Sequence, residues 1–318
     1  MKTWQNALDI RIARLDPQWR ALLKGLLGVL LFVYPWGVVL ISIDFVPSWG
    51  TWLGGAYLML MGTMMGVWLV INYRGGGVLV SGLIMFGSWL VEHVGVVTGV
   101  PFGAYDYTNV LVPQIAGVVP LAIPFAWLLV VPASVGTARS LLRMGTADDS
   151  LPTAPARSLS EMLRVVLVAA TLTTLLDLMI EPVVTRVTNY WAWDPGNGGG
   201  AYYGIPLVNF VAWWVTSALF AWVLVWLQWN GERNRRSPGA DEEVAVGAPP
   251  GDRVLFFPWL PYLLYVLLLG MFVVINTSHT HLVAALIGGP VLAYLVFDWL
   301  RPYVVQRLRL PLSGGGME

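Results

Sequence analysis

Eight separate runs of about 20 apolar residues, the length that crosses a ~30 Å hydrocarbon layer as a helix, leave this chain few alternatives to a membrane bundle. They lie near 22–42, 52–72, 78–98, 118–140, 163–185, 206–228, 256–276 and 281–300. Within lipid every backbone N–H and C=O must find a partner inside the protein, and a helix supplies those partners on its own. Composition agrees, since 57% of the 318 residues are hydrophobic, 11% are charged and mean hydropathy is +0.69, values far from a soluble globular chain. The expected fold is all-α: a polytopic integral membrane helical bundle of about eight transmembrane helices, forming one transmembrane domain over 1–318.

The basic residues test that span count, because a missed or invented helix would scramble their distribution. With the N-terminus placed in the cytoplasm, every Lys and Arg except Arg186 falls in a cytoplasmic segment, as the positive-inside rule requires. Both termini are then cytoplasmic and the protein is expected to be multi-pass in a prokaryotic cell membrane. The charged segment before the first span, with Lys2, Arg11, Arg14, Arg20 and Lys24, lacks a small-residue cleavage site and reads as part of a retained helix. Two charged, Pro/Gly-rich stretches, 144–158 and 230–253, read as cytoplasmic linkers. The chain has no cysteine, which removes disulfides and thiolate metal sites, and its zero formal charge offers no basic face for nucleic acid.

Polar residues inside the spans carry the functional signal. A carboxylate near mid-bilayer costs about 2.5–3.5 kcal/mol on insertion scales, so it should face the protein interior or a water-filled cavity. Glu92 on the third span, and Asp177 and Glu181 on the fifth, are the three that qualify. Asp177 and Glu181 are spaced i, i+4, and Thr174, Thr185 and Thr188 extend the same stripe, giving one polar helix face. Pro182 should kink the helix and free a backbone carbonyl. Counting ~1.5 Å per residue puts all three acids roughly 3 to 10 Å to the outer side of the midplane, where they could meet. The competing reading is interhelical hydrogen bonding that only holds the bundle together.

The outer loops are aromatic and glycine-rich. Tyr105, Tyr107, Tyr190, Trp191, Trp193, Tyr202 and Tyr203 all fall on that side, denser than interfacial anchoring needs, and are candidates to line a pocket. Asp106 lies within the first aromatic loop and could border it. Asn209 on the sixth span could orient an acid or a water. His93 adjoins Glu92 but lies ~100° around the helix. His279 and His281, at i, i+2 without further ligands, make a poor metal site, and Asp44 and Asp194 read as caps or turns.

With three histidines in all, the chain cannot build the histidine clusters of membrane di-iron enzymes, and no Gly-rich nucleotide fingerprint follows a strand. What remains is carboxylic-acid chemistry in an apolar, aromatic surround. A carboxyl there can stay protonated near neutral pH and act as a general acid, and aromatic faces can stabilise a carbocation. Together these suit protonation of an electron-rich alkene in a lipid-soluble molecule.

The runs EHVGVVTGVPFGAYDYTN, LDLMIEPVVTRVTNYWAW and AYYGIPLVNFVAWW, in that order, resemble the membrane carotenoid biosynthesis family that includes hydratases of the bisanhydrobacterioruberin and γ-carotene/lycopene type. The resemblance spans the third to the sixth helix, and the terminal spans match in hydropathy alone. An Asp-Pro often stands in the family where this chain has Glu181-Pro182, a departure that keeps a carboxylate. The resemblance implies addition of water, without cofactor or metal, across the terminal isoprenoid double bond of an acyclic carotenoid end group such as that of lycopene or γ-carotene. The partners it implies are the carotenoid, water, membrane lipid and a downstream carotenoid glycosyltransferase. The candidate catalytic residues are Glu92, Asp177 and Glu181, with Glu92 or Asp177 as the acid and Glu181 orienting water. The candidate substrate-binding residues are His93, Tyr105, Asp106, Tyr107, Tyr190, Trp191, Trp193, Tyr203, Asn209 and Trp213. Two other readings stay open: a lycopene cyclase, which begins with the same protonation, and a lipid or carotenoid transporter or binding protein.

Overall fold

The computed structural model describes residues 15–142, 158–194, 196, 200–235 and 256–308. Among these, eight helices are long and apolar enough to cross a membrane: α1 (Asp16–Ser42), α2 (Leu53–Tyr73), α3 (Gly75–Thr98), α4 (Ala122–Leu141), α5 (Leu159–Arg186), α6 (Leu207–Arg235), α7 (Leu260–Ser278) and α8 (Leu282–Leu308). They coincide with the eight apolar runs, and the protein is a multi-pass helical membrane bundle.

Differences are confined to helix ends. α6 continues through 230–235, the start of the stretch read as a linker, where NGERNR holds no proline to interrupt the i→i−4 bonds. The remainder of that stretch, and 144–157 of the other, lie outside the described residues. Ser158 closes the latter stretch by capping α5, its hydroxyl accepting a bond from Glu161 N at 3.2 Å. The fourth span starts later than its hydropathy suggests. Residues Val119–Pro120 form a short strand, β3, against β2 (Gln114–Ile115). Ala116 and Gly117 turn the chain between them at φ 52° and 69°.

The centre of the bundle is α4, with 83% of its apolar window buried against 6% for α1 and 17% for α8. α2, α3, α5, α6 and α7 surround it. Its small residues (Ala133, Ser134, Gly136, Ala138) permit that crowding. On the facing surface of α2, a Cβ on Gly62 would stand 2.4 Å from the Phe125 carbonyl oxygen, so no other residue fits there. α1 and α8 lie at the edge, and α1 turns Phe32 and Trp36 outward. At the end of the bundle where α3 and α5 finish, β1 (Tyr105–Tyr107) pairs antiparallel with β4 (Trp191–Trp193).

Candidate active site

The β1–β4 ribbon is built from YDY and WAW, and the two-residue period of a strand sorts them by face. Tyr105 pairs with Trp193 and Tyr107 with Trp191, with ring centroids 5.2 and 5.8 Å apart. Asp106 and Ala192 take the other face and are exposed. Each of the four inward rings delivers a polar atom to an acid. Tyr105 and Tyr107 donate their hydroxyls to Glu92 Oε2 at 2.5 and 2.8 Å. Trp193 and Trp191 donate their indole N–H groups to Glu181 Oε2 at 2.9 and 3.3 Å. From below, Trp127 on α4 donates Nε1–H to Glu92 Oε1 at 2.9 Å. Asn209 on α6 donates through Nδ2 to Asp177 Oδ2 at 2.9 Å and to Glu181 Oε1 at 3.2 Å. The three acids and Asn209 are all buried.

The donor inventory separates the three acids. Indole and amide N–H groups donate only, so the Glu92 and Glu181 oxygens they meet must accept. Glu92 and Glu181 each receive three donors spread over both oxygens, a set suited to a carboxylate. Burial first, and the Glu92 charge second, push the Tyr105 and Tyr107 phenols above their ordinary range, so both remain donors. Asp177 differs: its Oδ2 accepts from Asn209, while its buried Oδ1 has no partner among the protein groups.

Proline explains how the i, i+4 acids are held. Pro182 has no N–H, so the Leu178 carbonyl loses its helical donor, and the Tyr202 hydroxyl takes its place at 2.6 Å. Burial raises the Tyr202 phenol above its ordinary range and keeps it a donor. Asn276 of α7 donates to the next carbonyl, Met179 O, at 2.8 Å. Thr174 and Thr185 turn their hydroxyls back onto Ala170 O and Glu181 O of their own helix, the usual behaviour of threonine inside a helix, so neither extends the site. Tyr202→Phe removes the hydroxyl donor to Leu178 O and is expected to lower unfolding stability by about 1–3 kcal/mol, read as an earlier thermal midpoint of the detergent-solubilised protein.

The structure thus brings together Glu92, Asp177, Glu181, Tyr105, Tyr107, Trp191, Trp193 and Asn209, and Trp213 joins them by stacking on Trp127 at 4.2 Å. Four candidates fall elsewhere. Asp106 is on the outer face of β1, since its neighbours take the inner one. His93 packs against Trp89, one turn back along α3, with ring centroids 5.5 Å apart. Tyr190 fills a notch in α2: its hydroxyl lies 1.6 Å from where a Cβ on Gly54 would stand. Tyr203 belongs to a separate cluster, under the Arg186 guanidinium at 5.3 Å and against His281 at 5.3 Å. His279 bonds Ile41 O and His281 bonds Asn276 Oδ1, and no group of three or more metal-binding side chains occurs among the described residues. Trp127 is the site residue that sequence reading passes over. Its signal is an indole well inside an apolar run, where the N–H must find a buried acceptor.

Fold and site together define a class: a multi-pass membrane protein whose interior holds three carboxyls beneath an aromatic ribbon. Residues 53–295 match the model of the carotenoid biosynthesis protein family, and the chain belongs to that family. The bisanhydrobacterioruberin hydratase of Haloarcula japonica is 28% identical to it over 168 residues, covering 52% of this chain and 50% of that relative. The match therefore spans about half the length of each protein. No solved structure matches the chain.

Proposed function

We propose that this protein is a carotenoid hydratase that adds water across the terminal isoprenoid double bond of an acyclic end group. Membership of a carotenoid biosynthesis family and the name of the Haloarcula relative support the substrate class. The observation that carries the mechanism is the free Asp177 Oδ1, beside two carboxyls whose oxygens each already accept a protein donor.

Asp177 is the acid. Its Oδ1–H bond breaks as a C–H bond forms at the less substituted alkene carbon, leaving a tertiary cation on the other. Glu92 and Glu181 supply fixed negative charge, and the Trp and Tyr faces add cation–π attraction worth about 2 kcal/mol where water is excluded. Water then forms the C–O bond and gives its proton to Glu181, and the proton returns to Asp177 within the pair that Asn209 bridges. The balance is one water added, with no oxidant or reductant.

Expression in a lycopene-accumulating host tests this. The pigment should gain the mass of one water for each end group that reacts. A new pigment of unchanged mass would replace hydration by cyclisation, and a pigment left chemically intact would replace catalysis by binding or transport.

A further inference from the structure

A guanidinium keeps its proton inside a protein, and burying it without a counter-charge costs several kcal/mol. Arg139, in the last turn of α4, is 3% exposed. Gln228 of α6 accepts a bond from one of its terminal nitrogens. Its Nε has no partner, and no Asp or Glu among the described residues forms an ion pair with it. The negative end of the α4 dipole, roughly half a charge, offsets only part of the positive charge.

Arg139 lines a narrow cleft with Trp68, Tyr73, Pro132, Leu224, Gln228 and Pro261. The cleft lies where α2, α4 and α6 finish and α7 begins, opposite the acid site. Other cations gather at the same end. Arg20 and Arg74 share Asp16 at 2.9 and 3.0 Å, and Arg20 and Lys24 lie over the Phe256 ring. The Gln228 amide oxygen is used by Arg139, which leaves its NH2 as a second donor.

We propose that Arg139 and Gln228 bind a phosphate-bearing anion at this end of the bundle. One phosphoryl oxygen enters the cleft against the guanidinium, and the amide donates to another. The last turn of a spanning helix, ringed by Trp and Tyr, lies at the depth of lipid headgroups, and basic pockets between helices on such a face suit anionic headgroups. A planar guanidinium matches phosphate geometry better than a single ammonium does. A phosphodiester carries the one negative charge that Arg139 lacks among the described residues.

The test uses the full-length protein, delipidated in phosphate-free detergent buffer, with its thermal midpoint as the readout. Three additives are compared: phosphatidylglycerol, a galactosyl diacylglycerol with the same acyl chains, and inorganic phosphate. Phosphatidylglycerol is expected to raise the midpoint by about 2 °C or more beyond the galactolipid. Gln228→Glu places a carboxylate against Arg139 inside the fold, so this folded variant should lose the response, as should Arg139→Gln. A rise with inorganic phosphate alone, absent in Gln228→Glu, assigns the site to free phosphate. Overturning results are a phosphatidylglycerol response no larger than the galactolipid's with none to phosphate, or a response of wild-type size in Gln228→Glu.

Discussion

Asp177→Asn is expected to leave the protein folded and to reduce hydration at least about 10²-fold, the lower end of what a positioned general acid contributes. The substitution is nearly isosteric, and its retained carbonyl oxygen can still accept from Asn209 Nδ2, the contact now made at 2.9 Å. The amide nitrogen then occupies the position of Oδ1, the one oxygen of the three acids without a protein partner. An amide can donate a hydrogen bond there but cannot give up a proton to carbon. Pigment conversion per unit of folded protein is the measurement, with the thermal midpoint checking the fold. Retention of more than a tenth of the wild-type rate would remove Asp177 from the role of acid.

Glu181→Gln is expected to lose activity to a similar degree and also to lower stability, by about 1–3 kcal/mol. The two indoles on Oε2 can only donate, so the new carbonyl oxygen must face Trp191 and Trp193. The new NH2 then meets the Asn209 NH2, donor against donor, at a 3.2 Å contact. If the Asn209 amide flips to relieve this, its oxygen faces Asp177 Oδ2, and the Asp177 proton is drawn to Oδ2 and away from Oδ1. Both routes damage the acid as well as the base. Thermal unfolding together with pigment turnover checks the two effects, and a fully active, fully stable Glu181→Gln protein would refute the bridging role of Asn209.

The membrane architecture was legible in the sequence because lipid enforces it locally. A span must be apolar over its whole length, and its backbone closes its own hydrogen bonds, so each helix can be read without knowing its neighbours. The same locality exposed Glu92, Asp177 and Glu181, since any acid inside such a run is costly. Pro182 announced a freed carbonyl for the same reason, although only the fold could supply Tyr202 to meet it.

The partners of those acids were not legible. Asp106 and Tyr107 are adjacent, yet the pairing of β1 with β4 turns one outward and the other onto Glu92. Tyr190 and Trp191 separate in the same way, one into the notch at Gly54 and one onto Glu181. Trp127 reaches Glu92 across 35 positions of chain, and nothing near it marks the contact. The sequence by itself determined the eight spans, the family, and the presence of three acids in the membrane interior. The tertiary structure alone decided which donors meet Glu92 and Glu181 and which oxygen of Asp177 stays free. Hydropathy is a property of each segment, whereas hydrogen-bond satisfaction depends on side chains that distant segments bring to one point.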